Sequence, residues 1–381
     1  MMSVREKAIL EQFGTPLLCY QWQQIQEQLD FQRSLGVISM LPVRICPEPV
    51  ILSLLGEQGC GMICASYGEL QMIQRLQFPP EQIWLDSMAP DRASVELAVR
   101  LGARVAVTDY EMCRRVLSWG ARHLLVRYQT DKVSPLVKTH PMMQRLQMFN
   151  RQLIPVCKLL EEGIDIVLET VLDGRSALEG SWTEAAERLL AGRKVLQRSE
   201  FAGFGGISLN LQGLLNADVL GREIPGVLAA MEGQNAPVYL QAGRLLVEGA
   251  GTMYARVERV RLGAPDQLVL NLSSAQLPRT ALLGSSHSYS LLESREEGAG
   301  YYEITGYLPE RTEQLHAKVL LPRVQCGDIL RIHGVGAYER AMSSGFGGSL
   351  GCPVVLVRQG KTVLLRRRQT SEDLLRDIVV W

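Results

Sequence analysis

Two arginines, a pair of glycines and a tyrosine in this sequence are of the residue types that bind anions. Arg44 and Arg244 carry fixed positive charges, because a guanidinium does not lose its proton in proteins. The pair Gly205–Gly206 could donate backbone N–H groups from a glycine-rich run, and Tyr338 could donate a hydroxyl. The expected ligand is a phosphate or a carboxylate. Alternatively, the glycines only allow a tight turn and Arg244 pairs with Glu169.

Arg44 also excludes one kind of chemistry. A Schiff base needs a neutral amine, which a buried lysine can supply and a guanidinium cannot. No lysine occurs between Lys7 and Lys132, so no small shift of register brings one to this segment. We therefore predict that the segment forms no covalent link to an aldehyde cofactor.

Composition narrows the class of partner and the compartment. The 381 residues include 40 basic and 40 acidic side chains, and a zero net charge argues against binding nucleic acid or an acidic membrane surface. The eight cysteines form no Cys-x-x-Cys pair and the five histidines lack metal-ligand spacing. We predict reduced thiols, no metal site, no membrane span and a cytoplasmic location.

The chain from about residue 36 to 245 alternates short apolar runs with amphipathic helical stretches. The predicted strands are 37–41, 61–65, 82–86, 104–108, 123–128, 164–170, 201–209 and 237–241. Predicted helices include 67–76, 91–101, 110–119, 155–162, 182–196 and 225–232. Eight strand–helix units favour a parallel (β/α)8 barrel, with a doubly wound open sheet as the alternative.

The hydrophobic pattern of the sequence changes after residue 245. Short β-rich runs at 245–261, 267–272, 301–306, 328–333 and 354–366 predict an antiparallel β domain, and 284–290 looks like an exposed loop. We expect an N-terminal strand in 1–24 that joins this domain, a barrel in 25–245 and the β domain in 246–381. Residues 131–151 predict an extended loop that runs into a helix.

Several motifs resemble the fold-type III pyridoxal-phosphate-dependent decarboxylases, which act on diaminopimelate, ornithine or arginine. They are Leu41-Pro-Val-Arg-Ile-Cys-Pro-Glu-Pro49, Ser66-Tyr-Gly-Glu-Leu70, Phe13-Gly-Thr-Pro-Leu-Leu-Cys-Tyr20, Gly334-Val-Gly-Ala-Tyr338 and the closing run 357–375. The resemblance spans nearly the whole chain. It implies a (β/α)8 barrel of the alanine-racemase type with a decarboxylase β domain, and a homodimer.

The resemblance also implies where a cofactor would bind. The implied positions are Arg44, Ser66, Gly205, Gly206, Gln241, Arg244 and Tyr338. Four positions that carry the family's chemistry hold other residues: Arg44 for the lysine, Val167 for the histidine that stacks on the ring, Gln241 for the glutamate that pairs with the pyridine nitrogen, and Pro309 for the proton-donating cysteine. We therefore assign no catalytic residue and expect pyridoxal phosphate, if bound, to be held without a covalent bond.

Three hypotheses remain open. The first is a catalytically silent member that binds a small anionic metabolite, an active paralogue as a heterodimer, or a pathway partner. The second is a divergent enzyme that uses Asp86, Asp109, Arg127, Glu169 and Glu313 for other chemistry. The third is a decarboxylase that holds pyridoxal phosphate non-covalently and receives its substrate already joined to the cofactor.

Overall fold

The computed structural model describes residues 4–128, 150–160, 163–173, 182–196, 202–212, 216–293 and 298–379. Lys132 and most of the predicted loop 131–151 lie outside these ranges. The chain divides into two compact units. The barrel unit is Gln28–Leu245, and the β unit combines Met1–Glu27 with Leu246–Trp381.

The barrel unit confirms the predicted (β/α)8 architecture. The first strand of the chain, β1 (Leu17–Gln21), belongs to the β unit. The next eight described strands close a parallel barrel: β2 (Ile38–Pro42), β3 (Gly61–Cys64), β4 (Ile83–Leu85), β5 (Arg104–Val107), β6 (His123–Arg127), β7 (Ile164–Asp173), β8 (Ala202–Gln212) and β9 (Val238–Gln241). Pairing of β9 with β2 closes the ring, so the open-sheet alternative is wrong.

An apolar layer fills the middle of the barrel. It consists of Met40, Ile63, Trp84, Ala106, Leu125 and Val167, with Tyr239 packed against it. One residue comes from each of seven strands, and they contact one another, so their side chains point inward as in other barrels of this type. The rings of Trp84 and Tyr239 meet edge to face with centroids 4.9 Å apart. Residues two positions further along each strand must then face the carboxyl end of the barrel.

The helices follow the strands, but two of them begin earlier than predicted. The described helices from Trp22 to Val247 are Trp22–Ser34, Pro49–Gly56, Tyr67–Arg75, Arg92–Arg100, Tyr110–Ser118, Asn150–Cys157, Trp182–Leu196, Ala217–Ala230 and Gly243–Val247. We expected Pro155 and Pro225 to begin helices, yet both lie inside them. The Asn216 side chain accepts a hydrogen bond from the backbone N–H of Asp218 and caps the second of these helices.

No helix within the described ranges is both long enough and apolar enough to span a bilayer. Strand content dominates the β unit instead. Its remaining described strands are β10 (Gly251–Arg261), β11 (Asp266–Leu270), β12 (Ser288–Leu291), β13 (Ala299–Thr305), β14 (Gln314–Pro322), β15 (Ile329–His333), β16 (Val354–Arg358) and β17 (Lys361–Arg366).

The sheet of the β unit is mainly antiparallel with two parallel pairs. Its order is β14-β13-β11-β10-β1-β16-β17, and β15 joins β10 to β12. Strand β1 pairs antiparallel with β10 and parallel with β16. The predicted run 354–366 is a hairpin, because Gln359 and Gly360 adopt positive φ between two strands. The predicted loop 284–290 is not exposed throughout, since His287 is buried and Ser288 begins β12.

Candidate functional site at the barrel mouth

Arg44 lies at the barrel mouth, which we define as the carboxyl ends of β2 to β9. It follows β2 in a short turn, Val43–Ile45, whose two flanking side chains are buried and anchor the turn. The Arg44 side chain is half-buried, and its Nη1 atom is enclosed without a hydrogen-bond partner. An enclosed donor of this kind costs about 1–3 kcal/mol unless a partner meets it.

Ser66 follows β3 at the same end of the barrel. Its hydroxyl oxygen accepts a hydrogen bond from the backbone N–H of Glu69 at 3.3 Å and so caps the helix Tyr67–Arg75. In return the Glu69 carboxylate accepts from the backbone N–H of Ala65 at 2.6 Å. Burial raises the pKa of Glu69, while the Ala65 hydrogen bond and the charge of Arg44 oppose that rise. The charge of Arg44 therefore acts on the Glu69 carboxyl.

Gly243 brings the segment of Arg244 against the turn that carries Arg44. A Cβ atom on Gly243 would lie 2.9 Å from side-chain carbons of Leu41, Pro42 and Ile45, so only glycine allows this approach. The retained Gly-Arg pair at the end of β9 therefore has a packing reason. It also places two arginines on neighbouring segments of the mouth.

Glu169 is the centre of a buried polar network near the barrel mouth. Its carboxylate is fully buried and accepts from Arg127 Nε at 2.5 Å. It also accepts from the Ser208 hydroxyl at 3.3 Å, from Asn210 Nδ2 at 3.4 Å, and from the amide of Gln241. Burial raises the pKa of the Glu169 carboxyl, and Arg127 opposes that rise.

Arg127 links this carboxylate to a second one. Its Nη2 lies 2.9 Å from Asp86, which directly follows β4. Burial disfavours the charged guanidinium, but attraction to Glu169 and Asp86 outweighs burial and raises the pKa of Arg127. Strand register explains the meeting, since Arg127 is the Cα partner of Glu169 across β6 and β7.

Gln241 has no donor left for a ligand. Its amide nitrogen donates to Glu169 and, at 3.0 Å, to the hydroxyl oxygen of Ser208. Both amide hydrogens are therefore engaged by the protein itself. Ser208 and Asn210 were missed by the sequence interpretation. Their alternate positions in a strand are the signal that could have found them.

Gly205 and Gly206 require a correction. They do not form a loop at the mouth but lie inside β8, in its amino-terminal half, where Gly206 is the Cα partner of Val167. A Cβ atom on Gly205 would lie 2.8 Å from both carboxylate oxygens of Asp165, and one on Gly206 would collide with the carbonyl of Pro237. Gly205 allows close packing against Asp165 on the side away from the mouth, and Gly206 allows close packing against Pro237 at the level of Val167, in the central apolar layer.

Tyr338 belongs to the β unit and has a strained backbone. Its φ is +69°, which is rare for a residue other than glycine and often marks a functional position. The next residue, Glu339, is fully buried and bonded to His287 Nε2 at 3.0 Å and to the backbone N–H of Arg279 at 3.3 Å. The Arg279 guanidinium also lies 5.9 Å from the Tyr338 ring centroid. Buried ion pairs therefore hold Tyr338 in place.

Two further candidate groups have structural roles. Asp109 caps the helix Tyr110–Ser118 by accepting from the backbone N–H of Met112 at 2.8 Å. Glu313 is buried in the β unit, where it accepts from the backbone N–H and the hydroxyl of Ser274 at 3.0 and 2.6 Å. Neither joins the Glu169 network. Pro309, which stands for the proton donor, is exposed.

Comparisons with known proteins agree with the fold. The pyridoxal binding domain of pyridoxal-dependent decarboxylases matches residues 20–139. Diaminopimelate decarboxylase of Deinococcus radiodurans is 27% identical over 96% of both chains, and that of Archaeoglobus fulgidus is 22% identical over 98% of this chain and 94% of its own. Protein TabA of Pseudomonas amygdali pv. tabaci is 25% identical over 87% of this chain and 82% of its own.

Solved structures support the same fold. Diaminopimelate decarboxylase of M. jannaschii in complex with L-lysine superposes with a TM-score of 0.84 over 98% of this chain and 94% of its own, at 19% identity. The chain is thus similar to the pyridoxal-dependent decarboxylases, by its match to their pyridoxal binding domain over residues 20–139 and by its fold.

Proposed function

We propose that this protein is a non-catalytic member of the family that binds a small anionic metabolite at the barrel mouth. The observation that carries the proposal is Arg44, a permanent cation with an enclosed and unpartnered Nη1 at the end of β2. A phosphate or carboxylate oxygen would supply the missing acceptor through a charge-assisted hydrogen bond. Arg244, on the neighbouring segment, adds positive charge for the same ligand.

Loss of the family's decarboxylation chemistry is supported by three positions. Arg44 offers no amine that could link covalently to pyridoxal phosphate. Gln241, at the position of the pyridine partner, is a neutral amide whose hydrogens are taken by Glu169 and Ser208. Val167, at the stacking position, is buried in the apolar layer of the barrel. Pyridoxal phosphate therefore does not fit this mouth as a covalently held cofactor.

The proposal is tested by comparing pyridoxal phosphate with pyridoxine phosphate, which has the phosphate but lacks the aldehyde. We expect similar affinities by calorimetry, because no covalent bond contributes. Arg44→Gln should weaken both about tenfold or more, as expected for losing a charged hydrogen-bond donor. Arg92→Gln, on an exposed helix, is the matched control and should change neither.

Two results would contradict the proposal. One is a single borohydride-stable label on a lysine at the mouth, accompanied by much tighter binding of the aldehyde. The other is the absence of any binding of either phosphate ester by the parent protein. Peptide mapping after borohydride reduction distinguishes covalent from non-covalent retention.

A divergent enzyme is the second candidate, and the Glu169 network favours it. A buried carboxyl with a raised pKa, beside Arg127 and Asp86 at the carboxyl ends of barrel strands, is the arrangement expected of a general acid. Carbon dioxide release from diaminopimelate, ornithine and arginine should be measured with pyridoxal phosphate present. Release that disappears in Glu169→Gln would favour this candidate over the first.

We also propose a homodimer, with a heterodimer with a paralogue as the alternative. Symmetric dimers are the commonest closed assembly. Sedimentation at micromolar concentration should report about twice the chain mass of 42.4 kDa. A clean monomer would favour a paralogous partner.

A further inference from the structure

A cavity lies within the β unit. Its volume is about 130 Å³, which is room for several water molecules. The polar side chains that line it are those of Gln276, Arg340, Ser343, Ser344 and Gln369, with Leu18, Met253, Cys352 and Leu374 completing the wall. No acidic residue is among its lining residues.

Arg340 supplies a positive charge that no carboxylate neutralises. Its Nη1 donates to the Ser343 hydroxyl at 2.7 Å, and its Nε is buried without a hydrogen-bond partner. Among the residues that the structure describes, Arg340 takes part in no ion pair. A buried guanidinium N–H without an acceptor favours the binding of an anion, because the anion supplies the missing acceptor.

Two further donors are left over beside Arg340. Gln369 uses its carbonyl oxygen to accept from the backbone N–H of Gly351 at 2.6 Å, while its amide nitrogen has no partner in the described chain. The Ser344 oxygen accepts from the backbone N–H of Phe346 at 3.3 Å, so its hydroxyl hydrogen remains available. Gln276 accepts from the backbone N–H of Ser273 and donates one amide hydrogen to the carbonyl of Leu350.

The pKa of the Cys352 thiol responds to positive charge near the cavity. Burial raises the pKa of its thiol to about 11, and the nearby charges of Arg340 and Arg368 oppose that rise. Two guanidinium groups therefore act on one wall of a cavity whose free hydrogen-bonding groups are donors.

We propose that this cavity binds a small oxyanion, namely a phosphate or sulfate, either free or as the end of a small metabolite. The free donors, the uncompensated Arg340 and the volume all match such a group. This site lies wholly in the β unit and does not depend on the function proposed for the barrel mouth.

The test is equilibrium dialysis of the full-length protein with labelled inorganic phosphate. It is done in an Arg44→Gln background, which weakens binding at the barrel mouth and so lowers its contribution. We expect binding to persist there and to weaken about ten- to a hundredfold on adding Arg340→Met, as for loss of a charged donor. Arg311→Met removes an exposed arginine of the same unit and should leave binding unchanged.

Absence of phosphate binding in the Arg44→Gln protein would overturn the proposal, as would equal binding with and without Arg340→Met. If that variant does not fold by circular dichroism, Gln369→Leu replaces it and should weaken binding several-fold; an unchanged affinity would likewise refute the site. Competition identifies the source of the anion. Displacement by sulfate alone supports a free oxyanion, and displacement by phenyl phosphate as well supports a phosphorylated metabolite.

Discussion

Replacing Arg127 by methionine should destabilise the barrel unit strongly at neutral pH. Arg127 is only 4% exposed and holds Glu169 at 2.5 Å and Asp86 at 2.9 Å. Methionine has a similar length but leaves two carboxylates, one fully buried, without their shared cation. Breaking a buried pair in this way costs about 3–5 kcal/mol. For a unit of this size the melting temperature should fall by about 6–20 °C.

The deficit should depend on pH, and its sign follows from Glu169. Burial already raises the pKa of this carboxyl, and removing Arg127 removes the charge that opposes the rise. The folded variant therefore keeps its proton to a higher pH than the unfolded chain, whose glutamate pKa is about 4.3. Above that value the unfolded state ionises first, so stability falls as pH rises. The deficit should be small near pH 4.5 and large at pH 7.5.

Calorimetry or circular dichroism at these two pH values measures the effect. The control is Arg92→Met, because Arg92 is 71% exposed and its pair with Glu96 is worth about 1 kcal/mol or less. The reasoning is refuted if the Arg127 variant and the control have the same melting temperature at pH 7.5. A deficit as large at pH 4.5 as at pH 7.5 would refute the role given to Glu169.

Three further outcomes test other parts of the structure. Glu169→Gln leaves the arginine paired with its second carboxylate, so calorimetry should show less than half the loss of the arginine variant; a larger loss would contradict the raised pKa. Thiol titration of the native protein should show one fast-reacting cysteine, because the cysteines other than Cys326 are buried or half-buried. Cys326→Ser should remove that reaction, and several fast-reacting thiols would contradict the fold. Gly336→Ala should cost about 3 kcal/mol or more, because its Cβ would collide with the carbonyl of Val247, while Gly249→Ala, with open space, should be neutral by urea unfolding.

The barrel could be predicted because its signal is repeated. Each strand is a short apolar run between polar helices, and eight such units leave few other topologies. Individual boundaries carried less information. Pro155 and Pro225 suggested helix starts, because proline is frequent at the first helical position. In the structure both are interior, and Asn216 caps the second helix well upstream. A proline interior to a helix removes one hydrogen bond without forbidding the helix.

The site could be predicted best where a residue follows a strand end. Arg44 and Ser66 lie two residues beyond the ends of β2 and β3, so their placement at the mouth comes from the chain itself. The glycines of β8 were placed wrongly, because their position depends on register with β7. The structure has a register shift in this strand pair, between Ile166 and Val167, and the sequence contains no pattern that predicts the shift. A glycine run inside a strand looks the same as one in a loop.

The sequence pattern indicates the depth of Glu169 in the barrel, but it does not show which residues pair with Glu169. Val167 and Glu169 are two residues apart on one strand, so their side chains share the inner face of the barrel, one above the other. Val167 belongs to the apolar layer, which puts Glu169 in the next layer toward the mouth. A carboxylate at that depth requires a cation, and the pairing of β6 with β7 brings Arg127 to it, while the pairing of β7, β8 and β9 brings Gln241. Glu169 consumes those two groups, and the anion is therefore proposed at Arg44, whose enclosed Nη1 has no hydrogen-bond partner.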